Sequence, residues 1–165
     1  MDVFKKWFGK KDPNVVIAAP IKGKVVSLNE VPDPVFSDKM MGDGVAIQPE
    51  EGMVYAPVDG EIAQMFHTGH AVGIRTKEGV EVLIHIGLET VSLEGEGFTT
   101  KVEQGDRVKT GQPLIQFSLD TVKEKAKSTI TPVVVTNMDL VDSLAPKLSE
   151  QVDVEEPVME VKLKK

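Results

Sequence analysis

Three histidines, His67, His70 and His85, are the only side chains of this 165-residue sequence whose ordinary pKa lies near neutrality, and no cysteine accompanies them. The missing cysteine excludes disulfides, thiolate metal sites and cysteine nucleophiles together. His85 sits in "VEVLIHIGLET", residues 80–90, an apolar run in which an imidazole must be satisfied by hydrogen bonds or used in chemistry. His67 and His70 share the loop-like stretch "FHTGH". A pair of surface imidazoles has three chemical uses. It can begin a metal site that draws further ligands from elsewhere. It can supply base and acid about a substrate. Or one ring can carry a phosphoryl group while the other hydrogen-bonds its oxygens. The plain alternative is two satisfied strand histidines. His67 reads as a solvated side chain.

Whether His70 and His85 pair depends on the hairpin between them. The stretch "AVGIRTKEGVEVLI" reads as two strands about the turn signal "TKEG". A two-residue loop of Lys77 and Glu78 sets His70 opposite His85, on one face and with Cβ atoms about 4.5–5.5 Å apart. A three-residue loop that ends at Gly79 in a bulge shifts the register by one and sends the rings to opposite faces. The pattern permits either.

From Asn14 onward, Gly, Pro, Asn or Asp punctuates the chain every eight to twelve residues. Between them lie "VVIAAP", "GKVVSL", "GVAIQP", "MVYAPV", "AVGIRT", "VEVLIHIG", "PLIQF" and "TPVVVTN". This is the spacing of an all-β sandwich or barrel. Only "DTVKEKAKS" (120–128) and "MDLVDSLAPKL" (138–148) read as short helices. "APIKGKVV" at 19–26 and "APVDGEIA" at 56–63 hint at two similar β-units packed together.

Residues 1–13, "MDVFKKWFGKKDP", differ in kind and are expected to form a basic amphipathic tail ahead of one domain at 14–165. Val3, Phe4, Trp7 and Phe8 fall on one helical face and lysines on the other, which suits weak docking to an anionic membrane surface. Elsewhere no apolar run approaches the length of a bilayer span, and no signal-peptide h-region follows the first lysines. The net charge of −7 argues against general nucleic-acid binding, because there is no basic field to displace counterions from phosphates.

The surroundings of His85 narrow the choice. "VEVLIHIGLETVSLEGEGF" (80–98) closely resembles the phosphorylation-site segment of the glucose-family enzyme IIA proteins of the bacterial phosphoenolpyruvate-dependent sugar phosphotransferase system. The segments "PVFSDKMMGDGVAIQP", "YAPVDGEIAQMFHTGHAVGI", "EQGDRVKTGQPLIQF" and "EKAKSTITPVVVTNMD" are similar to that family as well. The likeness is strong over residues 15–140. It implies an antiparallel β-sandwich of the duplicated hybrid motif type, with one or two short helices and with the two histidines adjacent in a shallow depression.

Carried over by position, the resemblance makes His85 the phosphoacceptor through Nε2 and His70 the ring that stabilises the phosphoryl group. Thr68 then orients His70, and the Gly87 carbonyl holds the other nitrogen of His85. Phe36, Met40, Met41, Ile47, Phe66, Leu83 and Val91 correspond to an apolar docking ring, and Asp33, Asp38, Glu89 and Glu94 to an acidic rim. Family members often have Asp where this chain has Glu89. The implied donor is the histidine-containing phosphocarrier protein. The implied acceptor is a cysteine of an enzyme IIB domain on a separate permease for glucose-type sugars, since this chain has neither cysteine nor span. A cytoplasmic location follows, with transient contact at the inner membrane face through residues 1–11, a monomeric state and room for regulatory target proteins. No cofactor is expected, and no intrinsic metal. His70 and His85 would hold zinc only jointly with a partner carboxylate. Two other readings are weaker. A zinc peptidase of similar architecture needs an H-x-H pair where "LIHIG" has one histidine. A biotin- or lipoyl-carrier module, suggested by "GDRVKTGQPL", needs an M-K-M or D-K-A hairpin that the chain lacks.

Overall fold

The computed structural model describes residues 14–164, so the tail expected at residues 1–13 lies outside the described residues. In chain order the elements are β1 (Asn14–Ala18), β2 (Gly23–Ser27), α1 (Pro34–Ser37), β3 (Asp43–Pro49), β4 (Met53–Tyr55), β5 (Gly60–Met65), β6 (Ala71–Arg75), β7 (Glu81–His85), β8 (Phe98–Thr100), β9 (Arg107–Val108), β10 (Pro113–Phe117), α2 (Leu119–Lys125), β11 (Thr131–Val135), β12 (Val141–Pro146), β13 (Ser149–Val152) and β14 (Pro157–Leu163). The fold is an all-β antiparallel sandwich. One eight-stranded sheet runs β13-β2-β3-β11-β7-β6-β5-β9, and two three-stranded sheets run β1-β14-β12 and β4-β10-β8.

That order reads the same from both ends, and the short sequence repeat is its trace. β13-β2-β3-β11 mirrors β9-β5-β6-β7, and β1-β14-β12 mirrors β4-β10-β8. Gly23 faces Val152 as Gly60 faces Val108, and Ala18 faces Pro157 as Tyr55 faces Pro113. The two halves also exchange one backbone bond each, Ala18 N to Pro57 O and Tyr55 N to Pro20 O, at 2.9 and 2.8 Å. The glycine shared by "APIKGKVV" and "APVDGEIA" opens a strand in both, where a Cβ would lie 2.0 Å from Gln48 O at Gly23 and 2.3 Å from Arg75 O at Gly60. Only a residue without Cβ lets the neighbouring backbone come this close.

The large sheet is covered on both faces. Val25, Val45, Ile47, Ile84 and Val133 join the main core, together with residues of the smaller sheets such as Leu114, Ile115, Met159 and Val161. Their strand neighbours Val26, Ala46, Leu83 and Val134 point the other way, into a second cluster with Leu28, Val31, Phe36, Ala71, Leu88 and Ile130. This second cluster underlies the histidines.

The expected helix at 120–128 is present as α2, capped by the Ser118 hydroxyl, which accepts from Thr121 N. The one expected at 138–148 is not. A 3₁₀ turn at Met138–Leu140 leads into β12, which lies at the edge of its sheet and pairs with β14. An edge position tolerates Pro146, which would break a helix interior, and the pairing satisfies backbone groups that so short a helix would leave open.

Candidate functional site

The β6–β7 hairpin takes the bulged register. Ala71 lies opposite His85 and Arg75 opposite Glu81, leaving a three-residue loop of Lys77, Glu78 and Gly79. Gly79 has φ +97 and donates to Thr76 O at 3.0 Å. The register that set His70 directly across from His85 is therefore corrected by one residue, yet the rings still meet. The expectation that a bulge must separate them assumed that His70 belongs to the strand. It precedes β6, just after a tight turn in which Gly69 N donates to Phe66 O at 2.8 Å. Free of strand alternation, its ring turns toward His85. Its carbonyl accepts from Ile86 N at 2.8 Å, which ties the two histidine segments directly together.

The ring centroids of His70 and His85 are 5.1 Å apart, with planes inclined by 77°. Phe36 flanks His85 and Phe66 flanks His70, each at 5.3 Å. Nδ1 of His85 lies 2.8 Å from Gly87 O. A carbonyl can only accept, so Nδ1 carries the proton and Nε2 keeps a free lone pair. Nδ1 of His70 is hydrogen-bonded to Thr68 Oγ1 at 2.5 Å. His70 is buried and His85 half-buried. Burial pushes the His70 pKa down to about 4, and the neighbouring His85 and His67 rings push the same way. Burial also lowers the pKa of His85, opposed by its bond to the Gly87 carbonyl and by the Asp33 carboxylate. Both rings are thus neutral at pH 7, the state in which imidazole is a nucleophile.

The Gly87 carbonyl is aimed by a left-handed backbone, φ +70, in a spot where a Cβ would meet Ser128 O at 2.8 Å and Thr90 Cγ2 at 2.9 Å. Leu88 N donates to Ser128 O at 2.9 Å, and Lys127 N to Leu88 O at 3.2 Å, so the segment after His85 is laced to the stretch before β11.

The expected apolar ring divides by exposure. Met40 is 71% exposed and Val91 57%, with Met41 exposed as well, while Phe36 and Leu83 are buried beneath and Phe66 is half-buried. Ile47 must be withdrawn from the ring: it has no exposed surface and points into the main core, on the other face of the sheet. Val35, 39% exposed beside Phe36, was not anticipated. Its signal was "DPVFS", in which Asp33 Oδ1 accepts from Val35 N at 3.0 Å and Pro34 fills the first helical turn. Asp33 is therefore a helix cap as well as a charge near His85. Asp38, Glu89 and Glu94 are exposed, the last two with φ of 59° and 52°. His67 is exposed in the turn.

Among the described residues a cavity of about 470 Å³ is lined by Val58, Arg75, Thr110 and their neighbours at the far end of β6, away from the histidines. Among the described residues no three His, Asp or Glu side chains gather as a metal site would require. What remains is a neutral nucleophilic ring on an open surface edged by exposed Met and Val. Such a site suits a reacting group carried by another protein more than a free small molecule.

Residues 15–141 match the family described as phosphoenolpyruvate-dependent sugar phosphotransferase system, EIIA 1. The chain is 58% identical over 144 residues to a PTS system glucose-specific EIIA component of Bacillus cereus, covering 86% of this chain and 87% of that one. It is also 58% identical over 124 residues to a PTS system glucose-specific EIICBA component of Staphylococcus carnosus, covering 75% of this chain but 18% of that longer protein. Among solved structures it is similar to the glucose permease IIA of Mycoplasma capricolum, with a TM-score of 0.80 and 40% identity, over 89% of this chain and 95% of that one.

Proposed function

The chain belongs to the EIIA 1 family of the phosphoenolpyruvate-dependent sugar phosphotransferase system, a family of phosphoryl carriers in sugar uptake, and we propose that Nε2 of His85 is the atom that carries the phosphoryl group. The observation that supports this reading best is the bond from His85 Nδ1–H to Gly87 O. It leaves Nε2 as the ring's only nucleophilic lone pair and holds the ring still.

The donor in this reading is a phosphohistidine on the histidine-containing phosphocarrier protein. The His85 Nε2 lone pair forms the new N–P bond while the donor's N–P bond breaks, and the departing imidazole keeps that electron pair. No proton need leave His85, because Nδ1–H stays on the Gly87 carbonyl. Transfer of this kind passes through a loose transition state and depends on alignment and on holding charge at the phosphoryl oxygens. His70 meets the second need. In this reading the Thr68 hydroxyl is the donor in its bond to Nδ1, which sets the Nε2–H tautomer of His70 and turns a neutral N–H donor toward the group on His85. A neutral ring is the better choice, since an imidazolium 5.1 Å from His85 would have to be desolvated beside a second titratable ring.

The acceptor is an enzyme IIB domain of a sugar permease. The likeness to EIICBA components, in which an EIIA-like part is one piece of a longer protein, supports this partner. On our reading an incoming cysteine thiolate attacks phosphorus and His85 leaves with its electron pair restored. Met40, Met41, Val35 and Val91 receive both partners in turn, and flexible thioethers adapt to more than one surface.

The test is to incubate the protein with the general phosphotransferase enzyme, the carrier protein and phosphoenolpyruvate, and to map the label. Acid-labile, base-stable phosphate on Nε2 of His85, absent from His85→Ala, is the expected result. Label on another residue, or undiminished label on His85→Ala, would refute it.

A further inference from the structure

We propose that Thr90 and Thr131 form a positioning clamp that holds the Ile86–Gly87 peptide and thereby sets the tautomer and aim of His85. The inference deepens the reading of His85 as phosphoacceptor and rests on it for its functional consequence.

Four polar residues are buried among those described: His70, Thr76, Thr90 and Thr131. Thr90 and Thr131 have no exposed surface, and both hydroxyls converge on one peptide unit. The Thr90 hydroxyl donates to Ile86 O at 2.7 Å. Gly87 N donates to Thr131 Oγ1 at 3.4 Å, and the Thr131 hydroxyl donates to Thr129 O at 3.0 Å, so its lone pair is the part offered to Gly87. The carbonyl and the N–H of a single peptide are thus held from opposite sides by two elements far apart in sequence, the 3₁₀ turn Thr90–Leu93 and β11.

This peptide needs holding. β7 ends at His85, and Gly87 is left-handed, so no strand ladder fixes the orientation of the 86–87 plane. Rotation of that plane is taken up by φ of Gly87 and pulls on the next peptide, whose carbonyl accepts from His85 Nδ1 and whose N–H, on Leu88, is held by Ser128 O. The Thr90 methyl lies close enough to bar any side chain at position 87, standing 2.9 Å from where a Cβ on Gly87 would be. The Thr90 hydroxyl bonds to Ile86 O and the Thr131 hydroxyl to Gly87 N and Thr129 O, so the effect on His85 travels through the Gly87 backbone. A clamp of this kind specifies which ring nitrogen is protonated, and so which one is nucleophilic.

The experiment compares Thr90→Val and Thr131→Val, close in shape but without the hydroxyl, with Thr90→Ser and Thr131→Ser, which keep it. Long-range ¹H–¹⁵N spectra of unphosphorylated protein should show wild-type His85 as the Nδ1–H tautomer. The valine variants should show a mixture of tautomers, with His70 signals unmoved. The initial rate of phosphoryl uptake should fall about tenfold in each valine variant. Phosphate should begin to appear on Nδ1, and the serine variants should restore both readouts. Valine variants that melt earlier but keep wild-type His85 nitrogen shifts and uptake rate would overturn the clamp and leave the threonines as packing. The spectra judge it without any transfer, so a wild-type protein that takes no phosphate on His85 would count against the proposed function and not against the clamp.

Discussion

Replacing Gly87 by alanine joins backbone strain, packing and chemistry at one atom. The left-handed φ of +70 costs an alanine roughly 1–2 kcal/mol. Its new methyl would lie 2.8 Å from Ser128 O, 2.9 Å from Thr90 Cγ2 and 3.2 Å from Val122 Cγ1. Ser128 O is backbone, already engaged with Leu88 N, so it cannot step aside cheaply. Overpacking of this kind adds about 1–3 kcal/mol. The sum, about 2–5 kcal/mol, corresponds to a fall in melting temperature of roughly 5–15 °C for a domain of this size. Relief would come from moving the 87 carbonyl, which takes the anchor away from His85. Gly105→Ala is the control: its φ is +96 but nothing lies within 4 Å of the new Cβ, so it should pay the backbone cost alone and keep full transfer. Urea and thermal melts of both variants, with uptake measured on the folded fraction, separate the terms. If Gly87→Ala is no less stable than Gly105→Ala and takes up phosphate at the wild-type rate, the account of this carbonyl is wrong.

Three further outcomes follow from the same geometry. The folded pKa of His70, about 4, lies below the unfolded value near 6.5, so the unfolded chain binds more protons between these limits. Stability should be intact above pH 6.5 and be lost as pH falls toward 4, by at most about 3 kcal/mol and nearer 1–2 with solvent screening at the ring edge; denaturation against pH should show a shallower slope for His70→Gln. His70→Ala should still accept phosphate, because the His85 lone pair survives, but should pass it on about a hundredfold more slowly for want of a donor to the phosphoryl oxygens, as single-turnover transfer would reveal. Met40→Asp with Met41→Asp should leave the melting temperature within about 1 °C while raising KM for both protein partners, since these side chains are exposed in the free protein.

The ring partners were more legible in the sequence than the strand details around them. "HIGLET" and "HTGHA" carry the rings and their immediate partners in local order. Ile47 went astray for a physical reason. β11 is buried along its whole length and β3 along most of it, because both faces of the large sheet are covered. An apolar run of that kind carries no alternation to say which side chain faces which way. β9 and β8, of two and three residues, are too short to leave a pattern, and β12 and β13, with polar pairs and triplets such as Asp142-Ser143 and Ser149-Glu150-Gln151, lack the alternation that marks a strand. The hairpin register was undecidable because "TKEG" satisfies two loop lengths, and only the pairing of Ala71 with His85 chooses between them.

A nearly symmetric duplication becomes a one-sided site through its connections. β2–β3 and β5–β6 are equivalent strand pairs, but the first is joined through residues 28–42 and the second through residues 66–70. The long connection carries Asp33, Val35, Phe36, Met40 and Met41, and sets Phe36 against His85. The short one turns sharply at Gly69 and delivers Phe66 and His70. Equal connections would have left the two halves with similar surroundings. Unequal ones give a single ring held at a strand end, with its neutral neighbour on one side and an exposed apolar landing on the other. Shortening the 28–42 connection should therefore impair protein docking while sparing the bonds from His85 to Gly87 and from Thr68 to His70, which belong to the other half of the duplication.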